Sequence, residues 1–180
     1  MFLNIITPCS RPENLHRISE SINIPVENYR WIIVFDMDNF PDSEYIPGNC
    51  EIYLHRNPAS TAGHSQRNYA LDLIKSGHIY MNDDDTLIYP DLWDSIKDLT
   101  NDFITFDQLT SNGMLRLKGG DVRVGGIDSH NFIISRDLIN DTRWIVEDYC
   151  ADGHFAVECY AKSKAPLIIS RPLSVYNQLR

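Results

Sequence analysis

The sequence predicts an α/β fold, a three-layer α/β/α sandwich around a mostly parallel central sheet. Short β-rich runs alternate with helical stripes over the first 81 residues, in the order strand, helix, strand, strand, helix, strand. The run YRWIIVFD (29–36) is almost continuously apolar, as expected of a strand covered on both faces. With 180 residues, 43% of them apolar and 23% charged, the chain is the size of one domain and can bury a core without a disulfide or metal staple.

Each element follows from its residues. FLNIIT (2–7) is a strand, ended by Pro8. ENLHRISESI (13–22) spaces Leu15, Ile18 and Ile22 three and four apart, a helical stripe whose first turn suits Pro12. After the apolar second strand, residues 37–49 form a loop by their Pro, Asp, Asn and Gly content, and EIYLH (51–55) is a third strand. Residues 57–63 form another loop. HSQRNYALDLIK (64–75) is a helix with Ala70, Leu71 and Ile74 facing inward, stopped by Gly77, and HIYM (78–81) is the fourth strand. Beyond residue 90 the pattern changes: DLWDSIKDL is helical, FITF a strand, GMLRLKGGDVRVGG a glycine-punctuated hairpin region and NFIIS (131–135) a strand. DYCADGHFAVECYAKS (148–163) is helical in its second half, after Gly153, and PLIIS (166–170) closes the core, leaving a polar tail. No repeat, low-complexity tract or linker divides the chain, so residues 1–180 are expected to form one domain.

A net charge of -9 argues against nucleic acid as a partner, though not against a small phosphorylated ligand. Cys9, Cys50, Cys150 and Cys159 form no C-x-x-C pair and fit a reduced, cytoplasmic protein, with Cys9 a passenger. No apolar run approaches the roughly 18 residues of a membrane span, and MFLNIITPCSRP reads as a buried strand rather than a signal peptide. Zinc-enzyme, nucleophile-elbow and glycine-rich phosphate-loop motifs are all missing.

The chemistry-bearing feature is NDDD after HIYM. Ligands of open α/β sheets bind beyond the carboxyl ends of the strands, and that is where Asp83, Asp84 and Asp85 emerge. Two readings compete: a solvated turn with one aspartate as a helix cap, or a site for a hard cation such as Mg2+ or Mn2+. In the second, Asp85 is the candidate metal ligand and Asp83 a candidate for a ribose hydroxyl. An EF-hand does not fit, because positions six and twelve of the loop would be Ile88 and Asp94.

TPCSRPENLHRIS, WIIVFD, HSQRNYALDLI and HIYMNDDDT, in that order, resemble the GT-A nucleotide-sugar glycosyltransferases. The middle stretches are most similar to the β-1,3-glucuronyltransferases, with Gln66, Arg67, Asn68, Ala70 and Leu71 matching a QRN-x-AL helix ahead of D-D-D; the start also resembles the broad family 2 transferases. The likeness covers residues 3–90 and thins beyond, apart from GIDSHNFIISRDLI. It implies a Rossmann-like nucleotide-binding half (1–90) and an acceptor-binding half (91–180). It further implies a nucleoside diphosphate sugar donor, UDP before GDP, and a Mn2+ or Mg2+ cofactor. Thr7, Pro8, Arg11, Asp36, Arg67, Asp83 and Asp84 would meet the nucleotide and donor, Asp85 and Asp83 the metal, and Asp128 with Gly126 the sugar and acceptor. Family members place a late histidine at the metal; this chain departs from that pattern, and Tyr176, Asn177 or His154 would have to stand in.

Such a transfer, if it inverts configuration, needs a carboxylate to take the acceptor's proton, an effect of about 100- to 10,000-fold. The resemblance points to the acidic stretch WIVEDYCADGHFAVE, with Asp152 first and Glu147, Asp148 and Glu158 as runners-up; an ordinary Asp-Gly turn is the competing reading of Asp152. A degenerate nucleotide- or sugar-binding module and a nucleotidyltransferase are the alternative functions. The acceptor, whether sugar, glycan or protein, is not legible, and a homodimer is compatible with the short chain.

Overall fold

The computed structural model describes residues 1–56 and 62–180; the expected loop at 57–63 therefore falls largely outside the described residues. The elements are β1 (Leu3–Cys9), α1 (Leu15–Ser21), β2 (Tyr29–Asp36), β3 (Glu51–His55), α2 (His64–Leu73), β4 (His78–Met81), α3 (Leu92–Ile96), β5 (Phe103–Thr110), β6 (Leu115–Leu117), β7 (Phe132–Ser135), α4 (Arg136–Ile139), α5 (Ala151–Lys162) and β8 (Pro166–Tyr176). Eight strands form one sheet in the order β3-β2-β1-β4-β7-β5-β6, with β8 also paired to β5. The first four strands run parallel to one another, β7 is antiparallel to β4 and β5, and β8 returns parallel to β5.

Strand periodicity sorts the core onto the two faces of the sheet. Trp31, Ile33 and Phe35 join Leu3 and Ile5 beneath Leu15 and Ile18 of α1 and Leu92 and Ile96 of α3. Ile32 and Val34 face the other way, onto Ala70 and Leu71 of α2 and Phe155, Ala156 and Cys159 of α5. These side chains are essentially inaccessible to water, and each of the Val, Leu, Ile and Phe side chains contributes about 1.5–3 kcal/mol by leaving it. No helix among the described residues is long and apolar enough to cross a membrane.

Three expectations need correction. Pro8 does not end the first strand, which runs to Cys9 and pairs Pro8 with Val34. On its other side β4 pairs only with Leu3 to Ile6, so the imino nitrogen of Pro8 leaves no ladder bond unmade there. Helix α5 starts at Ala151, ahead of Gly153. Gly153 is there for packing, not as a breaker: a Cβ would lie 2.8 Å from Val124 Cα. Finally, PLIIS lies half-exposed on β8, and the tail expected to be polar continues the strand to Tyr176, with Leu173 and Ser174 fully buried.

Candidate functional site

A cavity of about 270 Å³ opens at the carboxyl edge of the parallel strands. Its wall combines Asp83 and Asp85 after β4, Arg67 of α2, Asp128 and Ser129 before β7, and Asp152 of α5. Tyr176, Asn177 and Arg180 at the end of β8 complete it.

The three aspartates are not a solvated turn. Asp84 and Asp85 are 3% and 2% exposed, and burying carboxylates is costly unless each is paired. No helix begins there either; the next, α3, starts at Leu92 behind Asp91. Asp84 turns to the loop after β1. Its Oδ2 accepts hydrogen bonds from Ser10 N (2.5 Å), Ser10 Oγ (2.9 Å) and Arg11 N (2.8 Å), and its Oδ1 accepts from Arg11 Nη1 at 2.5 Å. Asn14 Nδ2 donates to the Asp84 carbonyl at 2.9 Å. Asp84 is absent from the cavity wall, so its carboxylate braces the loop instead of meeting the donor as expected.

Asp83 and Asp85 do face the cavity. Arg67, buried on α2, donates from Nη2 to Asp83 Oδ1. Burial would raise the Asp83 pKa, but the Arg67 and His130 charges outweigh it and hold the carboxyl well below its usual range. His130, 1% exposed, bridges two acids: Nε2 is 3.1 Å from Asp83 Oδ2 and Nδ1 is 3.4 Å from Asp128 Oδ1. Burial opposes its protonation, yet Asp83 above all keeps its pKa up at about 9. Asp85 Oδ2 lies 2.8 Å from Arg180 Nε and 3.3 Å from Arg11 Nη1, and its Oδ1 accepts from Thr86 Oγ1 at 3.2 Å.

Asp128 caps the turn Ser129–Asn131 and accepts from Arg116 Nη1 at 3.0 Å. The Arg116 guanidinium lies 3.7 Å over the Tyr176 ring. Gly125, with φ +78°, borders the cavity. Gly126 is not on the cavity wall; a Cβ there would meet the Asp121 carbonyl at 2.6 Å, so its smallness serves the loop's own packing instead of the ligand approach expected of it.

Asp152 sits in the first turn of α5 with Oδ1 accepting from Gly153 N at 2.7 Å. Burial, then the nearby Asp128 charge, raises its pKa to about 6. The runners-up are elsewhere: Glu147 is exposed, Asp148 pairs with His154 at 3.2 Å, and Glu158 accepts from Thr142 Oγ1 and Lys162 Nζ at 2.8 and 2.6 Å. None of them lines the cavity.

His154 is corrected as a metal candidate, since its ring pairs with Asp148 outside the cavity wall; Asn177 is on that wall. Thr7 and Pro8 lie near the end of β1, Arg11 just beyond it and Asp36 at the end of β2; none of them lines the cavity. Thr7 Oγ1 accepts from Trp31 Nε1 at 3.0 Å, and Asp36 Oδ1 from Asp38 N at 3.2 Å.

Sequence reasoning missed His130, Arg116, Arg180 and Trp144. The Trp144 ring stacks on Phe155 (5.0 Å between centroids) and His64 (5.5 Å), with the Arg67 guanidinium 4.8 Å from its centroid. Only His130 had a local signal, two residues after Asp128 in GIDSHN; Arg116 meets Asp128 across the hairpin region, and Trp144 and Arg180 meet Arg67 and Asp85 far away in sequence.

Neither a protein-family model nor a curated protein matches the sequence. Solved structures do. Residues 1–349 of S. aureus TarS superimpose with a TM-score of 0.74 at 16% identity, over 98% of this chain and 58% of that one. A mannosyltransferase from Pyrobaculum calidifontis, in complex with GDP-Man and Mn2+, gives 0.66 at 11% identity, over 97% and 56%. Glucosyl-3-phosphoglycerate synthase from Mycobacterium tuberculosis, in complex with Mn2+, UDP and phosphoglyceric acid, gives 0.64 at 12%, over 96% and 69%. The chain thus has the GT-A fold of nucleotide-sugar glycosyltransferases, and spans little more than half of the TarS chain it matches.

Proposed function

We propose that the chain is a divalent-metal-dependent, inverting glycosyltransferase that uses a nucleoside diphosphate sugar, UDP in preference to GDP. One observation carries this reading: Asp83, Asp85 and a carboxyl with a raised pKa, Asp152, line one cavity at the edge of a GT-A sheet. TarS has been solved in complex with UDP-GlcNAc, and two of the similar structures contain Mn2+.

Asp85, with Asp83, would hold Mn2+ or Mg2+. The donor set suits a hard cation, being carboxylate oxygens on a cavity wall. Among the described residues no group of three His, Cys, Asp or Glu side chains could hold a metal, so diphosphate oxygens and water would complete the shell, the usual arrangement for Mg2+. When bound, such an ion supplies Lewis-acid stabilisation of the departing diphosphate. Arg67 is fixed by Asp83 and Trp144 on the cavity wall and would meet the sugar donor there with a planar guanidinium. Arg11, anchored on Asp84, supplies positive charge beside the same edge.

In the transfer, the acceptor hydroxyl oxygen forms a bond to the anomeric carbon as the bond from that carbon to the diphosphate oxygen breaks. The bonding pair leaves with the diphosphate, and Asp152 takes the hydroxyl proton. A pKa of about 6 leaves Asp152 ionised at neutral pH and more basic than an ordinary aspartate. Asp128, held by Arg116, borders the same space and would contact the sugar or acceptor.

Calorimetry with UDP and GDP, in Mn2+ and then in chelator, tests the reading. Metal-dependent binding of one nucleotide supports it; binding of neither by the folded protein overturns it. Incubation with nucleotide sugars then separates an enzyme, which transfers or slowly hydrolyses the donor, from a module that only binds it.

A further inference from the structure

Each aspartate of the turn has its own arginine: Arg67 for Asp83, Arg11 for Asp84 and Arg180 for Asp85. The three arginines differ in exposure. The Arg67 side chain is 4% exposed, that of Arg11 33% and that of Arg180 55%. Arg11 is also committed to Asp84 at 2.5 Å and reaches Asp85 only at 3.3 Å. Neutralisation of the buried Asp85 charge therefore falls mainly to the most solvated of the three guanidinium groups.

The backbone next to Arg180 is held independently of that ion pair. Leu179 N–H donates to the Asp85 carbonyl at 2.7 Å, and Asn177 turns the chain with φ +47°. The guanidinium itself is ion-paired with the carboxylate, its Nε 2.8 Å from Oδ2. The half-solvated guanidinium can turn from the carboxylate to water, whereas the buried carboxylate needs another cation in its place. A cation coordinated by Oδ2 would sit close to the positively charged guanidinium, and the repulsion between the two sets them in competition for that oxygen.

We propose that Arg180 is a tethered competitor for the cation site. It balances Asp85 until a divalent cation displaces it, and it lowers the affinity of the protein for the cation alone. The released guanidinium, still anchored through Leu179, borders the cavity in which a diphosphate would lie, so nucleotide offers it a new partner and favours the exchange. This inference rests on the proposed role of Asp85 as cation ligand.

Titration of Mn2+ alone into wild-type protein, Arg180→Gln, Arg180→Lys and Asp85→Asn tests it without nucleotide or turnover. Arg180→Gln is expected to bind Mn2+ about tenfold more tightly than wild type, and Arg180→Lys, which keeps the charge, to stay within about twofold of it. Equal affinity in wild type and Arg180→Gln, with binding lost in Asp85→Asn, overturns the competition while leaving the cation site standing. Unchanged binding in Asp85→Asn overturns the cation site, and the competition with it.

Discussion

Asn68 grips the main chain of Trp144 at both of its polar groups: Oδ1 accepts from the Trp144 N–H at 2.9 Å, and Nδ2 donates to the Trp144 carbonyl at 2.9 Å. One side chain on α2 thereby takes the place of a neighbouring strand for a residue in a coil segment. Through the stacked rings of Trp144 and Phe155 it also ties α2 to α5, the helix that carries Asp152. Asn68→Ala is expected to destabilise the fold by about 1–3 kcal/mol, since two half-buried backbone groups lose their partner. A urea midpoint unchanged from wild type would refute this.

Asp152→Asn is expected to lower turnover at least about 100-fold while leaving the dissociation constant for nucleotide unchanged. In wild type the rate rises with pH through about 6, as Asp152 loses its proton. If the rate of Asp152→Asn equals that of wild type, the base lies elsewhere.

The same raised pKa makes an opposite prediction for stability. Between the usual carboxylate range, near 4, and about 6, the folded chain binds more protons at Asp152 than the unfolded chain does. The contribution of Asp152 to stability therefore falls as pH rises through that window and stays low above it. Asp152→Asn should melt a few degrees higher than wild type at pH 7, on the order expected for 1–2 kcal/mol, and at the same temperature below pH 4. Thermal melts at the two pH values decide it.

Asp84 and Asp85 adjoin in sequence and should part in mutagenesis. Asp84→Ala strands Arg11 and two backbone N–H groups, a loss of about 3–5 kcal/mol by analogy with other broken buried pairs. Asp85→Ala leaves behind Arg180, which can turn to water, and should abolish metal-dependent nucleotide binding with the fold intact. Denaturation and calorimetry on both variants check the contrast; metal dependence retained in Asp85→Ala would remove Asp85 as the ligand.

Gly153→Ala places a methyl group 2.8 Å from Val124 Cα, which must move. An overpacking cost of about 1–3 kcal/mol is expected, together with reduced turnover, because Asp152 is the adjoining residue. Wild-type stability and rate together would show that the loop yields freely.

Local pattern reached most of the scaffold. YRWIIVFD, EIYLH and HIYM are strands at the expected bounds because apolar β-rich runs between turn residues have few alternatives. Gly153 misled because its signal is ambiguous: the absent Cβ that weakens a helix also admits a neighbouring chain, and only the Val124 contact tells which applies. The Asp83–Asp85 turn was legible as a motif, but the division of labour within it was not. Asp84 is satisfied by residues more than seventy positions earlier, and His130 and Arg180 reach the turn from the second half of the chain. Charge pairing of this kind leaves no periodicity to read.

The bracing of Asp84 by Ser10 and Arg11 also has a mechanical meaning. The turn carrying Asp83 and Asp85 cannot shift without dragging the loop after β1, and Arg67 fastens it to α2. That side of the cavity is a fixed jaw. Arg180 belongs to the same side, because Leu179 N–H is bonded to the Asp85 carbonyl; any closure around a bound molecule would have to come from the far wall, where Tyr149 stands 83% exposed.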